Sequence, residues 1–97
     1  MAEALPLGQM NEVHNYGRSV LAAGRPEVAI QVFKNNYKKF PNTYTTNMGM
    51  VRAMNAAGNA KEALKYAKQA LLLAPDNDSK LKMEGMIKKF EKGEFLN

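Results

Sequence analysis

Cysteine is absent from this 97-residue sequence, and histidine occurs once, at His14. Without cysteine the chain has no disulfide, no thiolate nucleophile and no Cys-ligated zinc. A lone histidine binds a metal ion only where carboxylates gather around it, and the sequence shows no such cluster. Glycine-rich loops of the kind that cradle phosphates are also missing. The sequence therefore predicts a protein that is not an enzyme and that uses no cofactor and no metal ion.

Long apolar runs are missing as well. None approaches the ~20 residues that a membrane span requires, so we expect no membrane partner. Residues 1–8 lack the basic segment and apolar core of a signal peptide, and the compartment is left open. Hydrophobic residues make up 45% and charged residues 24% of the chain, which is typical of a globular domain rather than a disordered segment. We expect one domain over residues 1–97.

The most informative pattern is a repeat with a period of 34 residues. Four pairs of identical residues keep this spacing: Arg18 and Arg52, Gly24 and Gly58, Ala29 and Ala63, and Pro41 and Pro75. The sequence around the two glycines agrees, AAGRPEVA in the first unit and AAGNAKEA in the second. A 34-residue period built from two helices is the length of the tetratricopeptide repeat.

Apolar periodicity and helix-end signals divide the first unit into two helices. The first helix is predicted from about Gln9 to Ala23, with Gly24 ending it in a left-handed conformation. Pro26 then stands in the first turn of the second helix, where its missing N–H is not needed. Pro41 stops that helix.

The second unit repeats this plan. Asn42 or Thr43 is expected to cap its first helix, in which the methionine stripe Met48, Met50 and Met54 is interpreted as core rather than as an adaptable binding surface. For its second helix we predict an Asn59–Glu62 capping box. A last helix is predicted from about Ser79 to Lys92, opened by Asp78 and closed by Gly93, with Phe95 and Leu96 following as a tail able to dock. The predicted divisions are repeat one at 10–43, repeat two at 44–77 and a capping helix at 78–92.

Individual positions of the first unit also resemble the tetratricopeptide consensus, which runs Trp-x2-Leu-Gly-x2-Tyr, then Ala-x3-Phe, then Pro. The matching residues are Val13, Tyr16, Gly17, Val20, Ala29, Phe33 and Pro41. The second unit departs from the consensus, with Asn47 where the aromatic residue is usual and Val51 where glycine is usual. The resemblance implies an all-α protein, an α–α superhelix of two helix pairs and a C-terminal capping helix.

The stretches 14–18 and 86–93 carry a narrower resemblance. Together with the two Pro motifs, they are similar to the C-terminal helical region of bacterial proteins whose N-terminal part is domain-of-unknown-function family 2911. That family carries no established activity to transfer. Repeat arrays need neighbours on both sides, and about three repeats is the usual minimum, so two repeats and a cap are expected to be a fragment of a longer protein.

The tetratricopeptide resemblance also implies a binding groove, because the first helix of each pair lines the concave side of such arrays. The positions that point into the groove are Asn11, His14, Arg18 and Ala22 in unit one, Thr45, Met48, Arg52 and Ala56 in unit two, and Ser79, Lys82 and Met86 in the last helix. From these we predict a peptide-binding set of Asn11, His14, Arg18, Thr45, Met48, Arg52 and Lys82. The family's chaperone-tail clamp is matched poorly, since Gly49 replaces its second Asn and His14 its first Lys.

Two guanidinium groups and an ammonium group in one groove favour a carboxylate-bearing partner, so we predict a protein-interaction scaffold for a peptide or protein, with an acidic peptide as the favoured case. Three alternatives stay open at this point: a merely solvated basic face, a structural segment that packs on another domain of its parent protein, and weak anion or nucleic-acid binding. The net charge of +5 allows the last, but the basic residues are spread over several helices without interleaved aromatics.

The N-terminal end carries a further expectation. Residues 3–8 read like the end of a preceding repeat's second helix, and such a helix would normally cover the first helix of unit one. We therefore expect Val13 and Val20 to be partly exposed and copies to associate through this end, with two-fold pairing as the commonest closed form.

Overall fold

The computed structural model describes residues 7–96, which form five consecutive α-helices. These are α1 (Leu7–Ala22), α2 (Pro26–Lys39), α3 (Tyr44–Ala56), α4 (Ala60–Leu73) and α5 (Asn77–Glu91). Each helix packs against the next one along the chain, and α1 also reaches α3. There is no strand between residues 7 and 96. The all-α fold with repeat-like packing of an α–α superhelix is therefore confirmed.

Gly24 and Gly58 end the first helix of each pair in the left-handed conformation that the sequence predicted, with φ of 82° and 74°. The N–H groups of each glycine and of the next residue donate back to the last turn, as Gly24 N to Leu21 O at 3.0 Å and Arg25 N to Val20 O at 3.1 Å. These bonds satisfy carbonyls that would otherwise have no partner at the helix end. The same turn therefore starts the second helix of both pairs.

Side-chain caps begin α3 and α4. Thr43 caps α3, because its hydroxyl accepts a hydrogen bond from Thr46 N at 3.1 Å. Asn59 caps α4 by accepting from Glu62 N at 3.1 Å, which is one half of the predicted capping box. The other half is not formed, because Asn59 N donates to Met54 O at 2.9 Å. Of the two residues proposed to cap α3, Thr43 is thus the correct one.

The last helix starts earlier than the sequence predicted. Asp76, not Asp78, is its N-cap, and the Asp76 carboxylate accepts from Ser79 N at 2.8 Å. The hydrogen bonds from Ser79 hold the pKa of Asp76 below its ordinary value. Asp76 directly follows Pro75 and has the extended backbone that an N-cap residue typically adopts.

The first helix also differs at its start. α1 begins at Leu7 rather than Gln9, so Leu7 and Gly8 belong to it and not to a preceding helix. The other residues that were interpreted as the end of a preceding repeat's second helix, residues 3–6, lie outside the described residues.

Phe33 is the centre of the packing between α1, α2 and α3. Its side chain is 1% exposed and requires glycine on both facing helices. A Cβ added at Gly17 would lie 2.7 Å from Phe33 Cε1, and one at Gly49 would lie 2.9 Å from Phe33 Cδ1. Both separations are too short for carbon atoms. The close-contact role predicted for Gly17 is confirmed, and Gly49 turns out to share it.

The methionines of α3 belong to the core, as predicted. Met48, Met50 and Met54 are all buried, and the buried face of α4 consists of the small residues Ala63, Ala67 and Ala70. Long, flexible side chains on one helix and alanines on the next allow close approach without voids.

Three buried polar side chains fix the junction between α2 and α3 and the start of α1. Asn36 donates to Met10 O at 3.0 Å, and Asn47 donates to Thr43 O at 2.8 Å and Pro41 O at 3.2 Å. The third, the Thr46 hydroxyl, donates to a carbonyl at the end of α2. Asn47, the residue that replaces the consensus aromatic, thus exchanges apolar packing for a hydrogen-bonded corner.

One of the two expectations for the surface of α1 is wrong. Val13 is half-buried, as expected, but Val20 is only 8% exposed, because it packs into the core formed with α2 and α3. The large exposed side chain of α1 is Tyr16, which is 58% exposed. Within residues 7–96, no helix precedes α1 to cover the side on which Tyr16 lies.

Candidate functional site

The seven residues predicted to bind a peptide line one cavity between α1, α3 and α5. They are Asn11, His14, Arg18, Thr45, Met48, Arg52 and Lys82. Asn15 and Tyr44 complete the wall of this cavity, which has a volume of about 390 Å³. We call it the basic cleft.

Helical spacing explains why these residues meet. On α1 the three predicted cleft residues are three and four positions apart, which places them on one face of the helix. The residues of α3 repeat this spacing 34 positions later, and the packing of α1 against α3 brings the two faces together. Lys82 reaches the cleft from α5.

The cleft residues differ in how far they are buried. Arg18 and Lys82 are exposed, and Arg52 is half-buried. Met48 is only 3% exposed, so it forms the floor of the cleft rather than a side chain that reaches outward. The charged groups therefore surround an apolar floor.

Not every position that the groove geometry implied lines the basic cleft. Ala22 and Ala56 lie along a second cavity instead. Ser79 and Met86 line neither cavity. Ser79 serves the start of α5, where its N–H binds the Asp76 carboxylate.

His14 is neutral in this environment. Burial, and then the positive charges of Arg52, Arg18 and Lys82, lower the pKa of His14 from its ordinary 6.5 to about 4. All three cations lie close enough to His14 to act on the same imidazole, in keeping with their positions around one cavity.

Arg52 is also perturbed, since burial and then the positive charge of Arg18 lower its pKa, while Tyr44 raises it. The ion pair found among residues 7–96 joins Lys65 to Glu62 at 4.0 Å, on α4. In this part of the chain, therefore, the cleft cations have no carboxylate partner, and the cleft is a site of positive potential.

The histidine ring is held from behind by aromatic packing. His14 and Phe33 have ring centroids 5.5 Å apart, tilted by 53°. A Cβ at Gly49 would lie 3.5 Å from His14 Nδ1. The position that carries an Asn in the chaperone-tail clamp is thus filled here by the rings of Phe33 and His14, which leave no room for that Asn.

The second cavity adjoins the basic cleft, with which it shares Arg18 and Arg52. Its volume is about 440 Å³, and it is lined by Arg18, Leu21, Ala22, Arg52, Asn55, Ala56 and Leu96. We call it the tail cavity, because Leu96 belongs to the segment that follows α5. The docking predicted for Leu96 is confirmed, whereas Phe95 is 42% exposed.

Asn55 is a groove residue that the sequence reasoning missed. Its amide group binds the main chain of Leu96 twice, with Leu96 N donating to Asn55 Oδ1 at 2.7 Å and Asn55 Nδ2 donating to Leu96 O at 3.1 Å. Asn55 lies three residues beyond Arg52 on α3, so its helical position was a usable signal. Its partner Leu96 is 41 residues away in sequence, and nothing in the sequence indicated that the two residues would meet.

The described residues were compared with the geometry of metal sites and of membrane-spanning helices. Among residues 7–96, no three histidine or acidic side chains come close enough to hold a metal ion. No helix there is both long and apolar enough to cross a membrane.

Consecutive helix pairs in this arrangement define a helical-repeat protein of the α–α superhelix class. Comparison with protein families matches residues 20–83, about two thirds of the chain, to the tetratricopeptide repeat. The chain therefore belongs to the tetratricopeptide repeat family. No curated protein and no solved structure matches it. Repeats of this family generally mediate protein–protein interactions and are typically not catalytic.

Proposed function

We propose that this protein is a non-catalytic interaction scaffold whose basic cleft binds an acidic segment of a partner protein. The observation that carries the proposal is the convergence of Arg18, Arg52 and Lys82 on one cavity, without a carboxylate partner among residues 7–96. Positive groups that repel one another are stabilised when an anion arrives.

The chemistry of the cleft favours carboxylates in particular. A guanidinium group offers a planar fork of N–H donors that matches both oxygens of a carboxylate. Arg52 is half-buried, so its contacts are less screened by solvent than those of the exposed Arg18 and Lys82. The apolar floor at Met48 leaves space for an aliphatic side chain between the charges. A Glu-Glu-Leu-Glu peptide with a free C-terminus has this combination.

The test is a titration with that peptide, labelled at its N-terminus, and with its Gln-Gln-Leu-Gln analogue. We expect the acidic peptide to bind and the neutral analogue to bind at least about tenfold more weakly, with affinity falling as salt rises. The double charge reversal Arg18→Glu and Arg52→Glu should abolish binding and keep the helical circular-dichroism signal.

The matched control is Lys38→Glu with Lys39→Glu, which changes the net charge by the same amount on exposed positions of α2. This control should bind the acidic peptide nearly as well as the unmodified chain. If the two double variants weaken binding equally, the cleft has no special role and the attraction is a general effect of charge. Tighter binding of a single-stranded oligonucleotide than of the acidic peptide would favour nucleic acid as the ligand.

A second candidate function is packing against another domain of a longer parent protein. Large hydrophobic side chains at Leu72 on α4 and Leu81 on α5 favour it, since they are 80% and 66% exposed. The narrower similarity to bacterial proteins with domain-of-unknown-function family 2911 would supply such a domain. This candidate predicts that a parent domain added in trans protects Leu72 and Leu81, and not the cleft, from solvent.

We also propose that copies of the chain associate through the side of α1 on which Tyr16 lies. Tyr16, rather than the predicted Val20, is the exposed large side chain there. A tyrosine offers much apolar area at low conformational cost, which suits a two-fold contact.

A further inference from the structure

The segment after α5 is turned back toward the groove by a specific helix end. Gly93 has a φ of 77°, and Glu94 N donates to Lys89 O at 2.9 Å. These features form the same left-handed helix end as at the two repeat glycines. The direction of residues 94–96 is therefore set by the end of α5.

Leu96 is then held through its main chain. Both polar groups of its backbone are bound by one side chain, the Asn55 amide, at 2.7 and 3.1 Å. A side-chain amide that accepts from N–H and donates to C=O of one residue reproduces the pairing that an extended strand makes with its neighbour. Such a contact recognises the main chain and does not depend on which side chain the bound residue carries.

The surroundings of Leu96 add selectivity. The tail cavity combines the aliphatic groups of Leu21, Ala22 and Ala56 with the guanidinium groups of Arg18 and Arg52. A peptide with an apolar side chain next to an acidic group would contact the aliphatic groups with the one and the guanidinium groups with the other. Because both arginines also line the basic cleft, a peptide that extends from the cleft along α3 reaches Asn55 next.

We propose that Asn55 is a main-chain recognition site for an extended peptide with an apolar side chain, and that the chain's own residues 94–96 occupy this site as an internal competitor. The proposal rests on the proposed peptide-binding function and adds to it where the ligand runs and what excludes it. The Asn55 amide has its acceptor and a donor engaged by Leu96, so a peptide that uses Asn55 must displace the tail.

The tail is an effective competitor because it is tethered. Only residues 94 and 95 separate Leu96 from Gly93, which follows the C-cap of α5, so the local concentration of Leu96 at Asn55 is high. Two partly buried hydrogen bonds favour the docked over the free tail by about tenfold. An external peptide then binds about tenfold more weakly than to the open site.

The experiment uses the full chain and a neutral probe, the capped peptide Ac-Gly-Gln-Phe-Leu-Asn-NH2, which copies residues 93–97 with Gln in place of Glu94. Leu96→Pro removes the N–H that Asn55 accepts and should release the tail. The control Phe95→Ser changes the neighbouring exposed side chain and keeps both bonds to Asn55. We expect the probe to bind the Leu96→Pro variant about tenfold more tightly than the unmodified chain or the control. Adding Asn55→Ala to Leu96→Pro should remove this gain.

Hydrogen exchange supplies a second measurement that does not depend on the proline variant. The Leu96 amide should exchange several-fold faster in Asn55→Ala, and also when the unmodified chain is saturated with the probe. Equal affinity of the probe for the unmodified and Leu96→Pro chains would overturn the proposal. An exchange rate of the Leu96 amide that does not change when the probe is added would also overturn it.

The acidic peptide separates this proposal from the broader one. Loss of acidic-peptide binding on reversal of Arg18 and Arg52, together with no effect of Leu96→Pro on either probe, leaves the basic cleft standing and removes the internal competitor. If the neutral probe behaves as expected but the charge reversal has no effect, the Asn55 site stands and the acidic-partner function fails.

Discussion

At the scale of single residues, His14 is the group whose chemistry depends most on the fold. Its pKa is lowered to about 4 by burial and then by Arg52, Arg18 and Lys82. The His14 imidazole of the unfolded chain therefore takes up a proton near pH 6.5, whereas in the folded chain it does so only near pH 4. Between these values the unfolded state is the more protonated one, so stability rises with pH and is lost as the pH falls from about 6.5 toward 4.

We therefore expect the free energy of unfolding to fall between pH 7 and pH 5, a window above the titration of ordinary carboxylates. The effect should be about 1 kcal/mol, because the partly exposed ring and its exposed neighbours are screened by solvent. Urea unfolding at both pH values measures it. His14→Gln has no titrating group, so its stability should be nearly the same at the two pH values. A fall of equal size in this variant would place the titration elsewhere.

Glycine substitution separates packing from helix propensity at two positions of equivalent register, Gly17 on α1 and Gly85 on α5. A Cβ at Gly17 meets Phe33 Cε1 at 2.7 Å, whereas a Cβ at Gly85 meets nothing within 4 Å. Alanine at Gly85 should raise the free energy of unfolding by about 0.5–1 kcal/mol through helix propensity alone. Alanine at Gly17 should lower it by about 1–2 kcal/mol, because the aromatic ring has to move. Denaturant unfolding that stabilised both variants would show that Phe33 moves without cost.

At the scale of helices, α3 determines how the two repeats join. It packs against α1, α2 and α4, and it carries the half of the cleft that includes Thr45, Met48 and Arg52. Its start is fixed by Thr43, whose hydroxyl accepts from Thr46 N and also lies 2.7 Å from the Thr46 hydroxyl. The cap therefore sets the position of α3 along the groove.

Thr43→Ala should lower the free energy of unfolding by about 1 kcal/mol, since the cap of α3 is lost. Thr43→Ser keeps the hydroxyl and should lower it by less than half as much. The same pair of variants, compared by NMR, should shift the resonances of Arg52 and Thr45 only in the alanine variant. If serine and alanine destabilise equally, the methyl group and not the cap holds the junction.

At the scale of the whole molecule, each helix packs on its neighbours along the chain, and the longest dimension is about 44 Å. Within residues 7–96, no further helix packs on the outer side of α1 or of α5. Tyr16 marks the α1 side and Leu81 the α5 side. Because each repeat buries surface only against its neighbours, free sides tend to find partners.

Sedimentation over a concentration series should therefore show a reversible dimer. Tyr16→Lys should remove it, and Leu81→Lys, the same change of charge at the opposite end, should not. Sensitivity to both substitutions would indicate head-to-tail stacking instead of two-fold pairing. A monomer at the highest concentration measured would contradict self-association altogether.

The repeat period, the helix order and most helix ends were determined by local sequence. Gly24 and Gly58 require a left-handed turn, Asn59 offers a side-chain cap, and residues at spacings of three and four share a helix face. Such rules act within one or two helical turns. The assignment of Arg18 and Arg52 to one groove combined their equivalent positions in the repeat with the groove geometry that the tetratricopeptide resemblance implied.

Tertiary structure decided what depends on residues distant in the chain. The burial of Val20, the exposure of Tyr16 and the rings that occupy the space at Gly49 follow from how α1, α2 and α3 pack. The low pKa of His14 arises from charges on three helices. The contact between Asn55 and Leu96 spans 41 residues, and a hydrogen bond between a side chain and a distant backbone leaves no periodic pattern in the sequence.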